Sequence, residues 1–321
     1  MEPATREEQF FPHVRSDICL YAPHRRTVCG GWTCGLHVHH MMFEFILVTR
    51  GTLSAFAGHT AHTLTAGDLF LVSPMQLHGY RAPLEEGCSF VAGHIGAEDE
   101  ELLELFESEN VCAYPADHPL TEALSPSILG LFNKLEGPRP PRVSAVMLGV
   151  LEIIERIHAG FAAEAARKKP AARREPAYLI AREIERLLRR PQMDGEPSPA
   201  AGPDEAAGDW LEDIARRLNI SRRHCHRLFR QAYGMSPRQY LMILKQQEAM
   251  QMLDSSTDTV EQIAYRLGYV NVQSFIRQFT TWVGCTPGAF RRNRPDSADY
   301  FPPSLSASLP AVPSTGRDPS A

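Results

Sequence analysis

The chain reads as a multidomain α+β protein: a small N-terminal β-barrel with following helices, then an all-α domain of two helix-turn-helix units. Three observations predict this. Short runs of branched and aromatic residues, punctuated by glycine, occupy positions 43–80. Helical periodicity takes over from about residue 98. Near the C-terminus a pattern occurs twice: Asp213-Ile214-Ala215-Arg216-Arg217-Leu218 returns as Gln262-Ile263-Ala264-Tyr265-Arg266-Leu267, an offset of 49. Arg227, Phe229, Gly234 and Pro237 then return as Arg277, Phe279, Gly284 and Pro287, an offset of 50. The one-residue slip falls in the turn between Leu218 and Ser221, where a repeated supersecondary unit tolerates it.

Composition sets the bounds. With 321 residues, 43% of them hydrophobic, the chain has room for two ordinary domains and their cores. No run of some 18 apolar residues exists, which argues against a membrane span and a membrane partner. The first 11 residues are acidic and polar, unlike a secretory leader. Seven cysteines (19, 29, 34, 88, 112, 225 and 285) lack a paired-ligand spacing, so reduced thiols and a cytoplasmic location are expected. The net charge of -5 conceals an asymmetry: residues 209–294 hold 13 Arg and Lys against 7 Asp and Glu, the remainder 20 against 31. A phosphate-binding module attached to an acidic domain has this split.

The elements follow in order. Strands are expected at 43–49, 52–57, 60–65 and 68–73, separated by Gly51 and by Ala66-Gly67 and closed by Pro74. Strands this short and this closely spaced form a small sandwich or barrel. Leu102, Leu103, Leu105 and Phe106 mark a short amphipathic helix. Residues 143–161 make a longer one, with Val146, Met147, Val150, Leu151, Ile153, Ile154 and Ile157 on a broad apolar face. That face needs a partner, either its own domain or a second copy in a homodimer seam. Residues 177–190 are helical again, with Leu179, Ile180, Ile184, Leu187 and Leu188 on one side. The expected divisions are a β-rich domain at 12–95, a helical extension at 96–165 that could form a dimer seam, a linker at 166–176, a helical region at 177–294 interrupted by a flexible loop at 191–208, and a disordered tail at 295–321.

The N-terminal domain carries a histidine constellation. Gly31-x5-His37-x-His39-x4-Glu44-x6-Gly51 fits the first cupin motif, and Gly67-Asp68…Pro74…His78 resembles the second, with His78 one residue closer to the proline than usual and no Asn after it. His37, His39, Glu44 and His78 would suit Zn²⁺, Fe²⁺, Ni²⁺ or Mn²⁺, or line an effector pocket. His40 competes with its neighbours for register, and His13, His59 and His94 read as surface or packing residues.

In the helical domain, Leu211, Ile214, Ala215 and Leu218 pack one short helix, Asn219 lies in the turn, and Ser221 is placed to cap the second helix. Cys225, Leu228, Phe229 and Ala232 fall inward on that helix, leaving Arg222, Arg223, His226, Arg227 and Arg230 outside. Gly234 suits a left-handed C-terminal position, and Pro237 the first turn of a linking helix that carries Tyr240, Leu241, Leu244, Ala249 and Leu253. In the second unit Val260, Ile263, Ala264 and Leu267 precede a turn at 268–270 and an Asn271 cap. Phe275, Phe279 and Trp282 then face inward, and Val272, Gln273, Ser274, Ile276 and Arg277 outward. Arginine can pair bidentately with guanine, glutamine with adenine, and Val272 can meet a thymine methyl.

Residues 210–292 resemble the DNA-binding domain of the AraC/XylS family of bacterial transcription regulators. The resemblance rests on Ile214-Ala215, Ser221, Arg227-Leu228-Phe229, Gly234-Met235-Ser236-Pro237, Tyr240-Leu241, Ala249, Leu253, Ile263-Ala264, Leu267-Gly268-Tyr269, Phe275, Arg277, Phe279 and Gly284-Cys285-Thr286-Pro287. It implies two recognition helices in adjacent major-groove segments about one turn (~34 Å) apart. By motif position it puts base contacts on Arg223, His226, Arg227, Val272, Gln273, Ile276 and Arg277; it makes 177–190 the first helix of a DNA-binding domain at 177–294, with 191–208 an insertion in it, and 12–95 a sensor domain. Cys225 stands where the family usually has Leu, and Lys245 where Arg is common. The resemblance further implies double-stranded DNA as partner, RNA polymerase if the output is activation, and an unknown small-molecule effector in the cupin-like domain. No catalytic residue or obligatory cofactor is expected on this reading, since family sensor domains often keep a His/Glu vestige in this stretch without holding metal. The competing reading is a cupin-type metal-dependent enzyme with an appended DNA-binding domain.

Overall fold

The computed structural model describes residues 18–39, 42–57, 60–96, 100–108, 111–167, 176–189 and 210–293. His13, His40, His59, the insertion 191–208 and the tail 295–321 lie outside them. The N-terminal domain contains β1 (Cys19–Val28), β2 (Thr33–His37), β3 (Met42–Ala57), β4 (Thr60–Thr65), β5 (Leu69–Val72), β6 (His78–Arg81), β7 (Cys88–Gly96) and β8 (Ala113–Tyr114). All pairings are antiparallel, and β3 is the hub. Its first half lies between β7 and β5, and its second half between β4 and β6.

The two strands expected at 43–49 and 52–57 are therefore one. Gly51 bends the chain without ending its pairing: it adopts φ 74°, a register shift falls between Val48 and Arg50, and Gly51 still pairs with Cys88. A Cβ at Gly51 would lie 2.3 Å from the Gly87 carbonyl oxygen, so only glycine fits. Along the first half, Phe43, Phe45 and Leu47 face one core and Ile46 and Val48 the other, the alternation a strand imposes. Ile46 and Val48 meet Leu53, Ala55, Phe70, Tyr80 and Phe90 in the interior of the β domain. Glu44, two residues before Ile46, shares their side of the strand.

Three helices cover the outer face: α1 (Glu100–Ser108), α2 (Pro119–Leu135) and α3 (Val143–Arg167). Val150, Ile153, Ile154, Ile157 and Phe161 of α3 are buried with Leu124, Ile128 and Leu131 of α2 and with the strand residues Phe43, Phe45 and Leu47. The apolar face of α3 thus packs on its own domain, while Leu148 and Leu151 stay exposed on the other side. The expected linker 166–176 begins inside α3, because the alanine-rich 162–166 stretch favours continuing the helix. Residues 168–175 lie outside the described residues.

The C-terminal domain consists of α4 (Pro176–Arg189), α5 (Trp210–Arg217), α6 (Arg222–Tyr233), α7 (Pro237–Ser255), α8 (Val260–Arg266), α9 (Val272–Val283) and α10 (Pro287–Asn293). Ile180, Ala181, Ile184 and Leu187 of α4 join the core of the first unit, with Ile214, Cys225 and Phe229. Glu183 of α4 pairs with Arg217 of α5 at 2.7 Å. Helix α7 serves both units: Tyr240, Leu241 and Leu244 belong to the first core, Ala249, Met250 and Leu253 to the second. The first core does not stop at the domain edge. It also takes in Leu36, Val38, Phe56, Met75 and Leu77 of the β domain.

Candidate DNA-reading surface and buried histidine cluster

The second helix of each unit is set by its ends. The Ser221 hydroxyl accepts from the His224 N–H at 3.2 Å, and Asn271 Oδ1 from the Ser274 N–H at 2.8 Å. Gly234 and Gly284 close the helices at φ 69° and 80°. The turns before them match through Asn219 and Gly268, both left-handed at φ 55° and 80°. Ile220 N–H then bonds to Ala215 O at 3.0 Å, and Tyr269 N–H to Ala264 O at 2.9 Å. The cap follows at once in the first unit and one residue later in the second, so the extra residue is Val270, which is exposed.

On α6, Arg222, Arg223, Arg227 and Arg230 are exposed and His226 is half-buried. The Arg227 guanidinium donates to His224 Nδ1 at 2.8 Å, which steadies it above the first turn. Sequence reasoning passed over His224. On α9, Gln273 and Arg277 are exposed and Ile276 is half-buried, whereas Val272 packs partly against the second core. This leaves Val272 less side chain to offer a base than its position alone implies.

The histidines converge more tightly than the sequence could show. His37 pairs with His78 across β2 and β6, and Glu44 with His94 across β3 and β7. His39 follows just after β2, its ring centroid 4.9 Å from that of His37. Ligand atoms of His37, His39, Glu44 and His78 all lie within 4.8 Å of one another, and all four residues are buried. Glu44 Oε2 is 3.2 Å from His39 Nε2 and 2.7 Å from His78 Nε2, while Oε1 is 3.7 Å from His94 Nε2. His94, expected to be a surface or packing residue, is a member of this cluster. Reading Cys88–Gly96 as a strand beside β3 would have found it; the run Phe90-Val91-Ala92, apolar on both faces, hid that alternation.

Backbone carbonyls fix the rings. His37 Nδ1 is 2.8 Å from Gly35 O, His78 Nδ1 2.7 Å from Gln76 O and His94 Nδ1 3.2 Å from Tyr21 O. A carbonyl can only accept, so each of these Nδ1 atoms donates. Burial pushes the imidazoles of His37 and His39 below their ordinary range and that of His94 down to about 3. Burial alone would raise the Glu44 carboxyl, but His94, His39 and His78 hold it well below its usual value. The Cys34 thiol nearby is pushed up to about 12 by burial and by Glu44. The cluster is thus a buried carboxylate enclosed by imidazoles, with His39 Nε2 hydrogen-bonded to its Oε2.

Two family models match the chain: an AraC-like ligand binding domain over residues 30–180 and a helix-turn-helix domain over 214–293. The uncharacterized HTH-type transcriptional regulator YfiF of Bacillus subtilis is 24% identical over 290 residues, covering 88% of this chain and 87% of that one. The HTH-type transcriptional activator RhaS of Salmonella paratyphi A is 25% identical over 282 residues, covering 80% and 87%. The lactose operon transcription activator of Staphylococcus xylosus is 29% identical over 83 residues; this match spans 26% of the chain and 30% of that relative's length. With a sensor-type model on its first half and a helix-turn-helix model on its second, the chain belongs to the AraC family of transcription regulators.

Proposed function

We propose that the protein is a sequence-specific transcriptional activator, controlled by an effector held in its N-terminal domain. One observation carries the reading. Two capped helices that expose Arg223, Arg227, Gln273 and Arg277 are joined by α7, whose first half lies in a core shared with the β domain. An event in the β domain can therefore bias how the two readers are held, provided the effector binds one arrangement better than the other. Double-stranded DNA is the primary partner, RNA polymerase the target of activation, and the cytoplasm the place of action. The exposed Leu148 and Leu151 of α3 supply apolar surface for a homodimer. The second reading, a cupin-type metal-dependent enzyme, draws on the His37, His39, Glu44 and His78 cluster.

A genome-wide binding map of the intact chain tests the first reading. Discrete sites near promoters are expected, and they should vanish when Arg227→Ala and Arg277→Ala are combined. A map that is featureless in the wild type, or unchanged in the double variant, overturns it.

A further inference from the structure

We propose that the effector is a divalent first-row transition ion, bound by His37, His39, Glu44 and His78 with His94 steadying the carboxylate, and that its occupancy is passed to α7 through residues 36–39 and 75–78. The inference rests on the regulator reading and names the ligand class and the route.

The donor set fits such an ion. Imidazole nitrogens and one carboxylate suit Zn²⁺, Fe²⁺ and Ni²⁺ rather than Ca²⁺ or Mg²⁺. Each ring of His37, His78 and His94 donates its Nδ1 proton to a carbonyl, the arrangement that aims metal-ligating histidines and fixes their tautomer. His78 adds a sharper observation. Its Nε2 is buried without a hydrogen-bond partner and lies 2.7 Å from Glu44 Oε2. A buried ring nitrogen and a buried carboxylate oxygen this close, with no hydrogen bond between them, suit a shared cation. Donors within 4.8 Å of one another need little contraction, since opposite ligands on an ion with metal–nitrogen bonds of about 2.1 Å stand roughly 4 Å apart.

The route follows from strand alternation. His37 and His39 point into the cluster, so Leu36 and Val38 point away from it, into the core of the first helix-turn-helix unit. On the facing segment His78 points in, while Met75 and Leu77 enter that same core. The two segments are tied together by Met75 N–H donating to His39 O at 2.9 Å. The Gln247 side chain of α7 donates to the carbonyl of Val38, between the two ligands. An ion that draws in His37, His39 and His78 must also fix the backbone on which α7 rests.

The test uses the intact chain, stripped by chelator and titrated with Zn²⁺ and with Co²⁺ for its visible spectrum. One ion per chain is expected, with the spectrum of nitrogen and oxygen ligation, and His78→Ala should lose it. Hydrogen exchange on the same samples should slow severalfold along 237–255 when metal binds. Gln247→Ala should keep the ion and lose most of that slowing. A wild-type chain that takes up no stoichiometric ion, or one that takes it up with unchanged exchange in α7, overturns the proposal. Neither readout involves DNA, so a featureless binding map would remove the regulator reading and leave the metal result standing.

Discussion

Gln247, in the middle of the helix that joins the two helix-turn-helix units, donates its side-chain amide to the backbone carbonyl of Val38, 209 residues earlier in the chain. Val38 is fully buried, so its carbonyl has little water to fall back on when the amide is removed. Leaving such an acceptor unsatisfied costs about 1–3 kcal/mol. Gln247→Ala should therefore loosen the domain contact by that amount while each domain keeps its own core. In urea, the single transition expected of the wild type should separate into two in the variant. One unchanged transition would mean that the Leu36, Val38, Phe56, Met75 and Leu77 packing carries the docking alone.

The two reading helices differ in charge, and this predicts different salt behaviour. Helix α6 exposes Arg222, Arg223, Arg227 and Arg230, whereas α9 exposes Arg277 among Gln273 and neutral neighbours. Arg227→Ala and Arg277→Ala should each cost about 1–3 kcal/mol on a selected duplex and relax the preference at one position, as loss of a base contact does. Arg222→Ala and Arg230→Ala should weaken binding to all sequences and lower the slope of log K against log salt by about 1 each, as loss of a phosphate contact does. Anisotropy titrations at several salt concentrations separate the two classes. A salt slope unchanged by Arg222→Ala and Arg230→Ala would contradict the asymmetry.

What the sequence displayed and what it hid have physical reasons. The helix ends were legible because capping is local: Ser221, Gly234, Pro237 and Asn271 take the roles their chemistry favours. Strand β1 was not legible, since Pro23 and three basic side chains break its alternation; an edge strand tolerates both, and a register shift between Tyr21 and His24 absorbs them. Helix α2 was masked by Pro126 inside it. His37, His39 and Glu44 could be read from spacing along one stretch, but His94 joins them only through the β3–β7 register, which is tertiary information. The sharing of the first helix-turn-helix core with Val38 and Leu77 was likewise invisible, because apolar residues on a strand do not name what they face.

The paired turns make a further prediction. Asn219 holds φ 55° where the second unit has Gly268, and Asn is among the few side chains that accept this region. Asn219→Gly should change stability by only a few tenths of a kcal/mol, whereas Asn219→Val should cost about 1–3 kcal/mol through left-handed strain. Removing the caps by Ser221→Ala or Asn271→Ala should cost about 1 kcal/mol each. Chemical denaturation reads all four variants. A harmless Asn219→Val would show that the turn does not need the left-handed residue.

Lys245 lies on α7 between the two unit cores, fully buried, with its Nζ 5.0 Å from the centre of the Tyr269 ring. Burial pushes its ammonium down to about 7 from an ordinary 10.5, although the ring face favours the charge. The folded form thus releases the proton near pH 7, while the unfolded chain keeps it to about 10.5. Between these values the unfolded state binds more protons, so stability rises with pH; below about 7 both states are protonated and the full penalty applies. A shift of this size corresponds to at most about 4–5 kcal/mol, at 1.36 kcal/mol per unit. Lys245→Met, which keeps the volume and removes the charge, should raise stability at pH 6–7 and flatten the rise that the wild type shows between pH 7 and 9. Urea midpoints measured across that range decide it. If Lys245→Met instead destabilises at every pH, the ammonium is needed to hold the two units together through Tyr269.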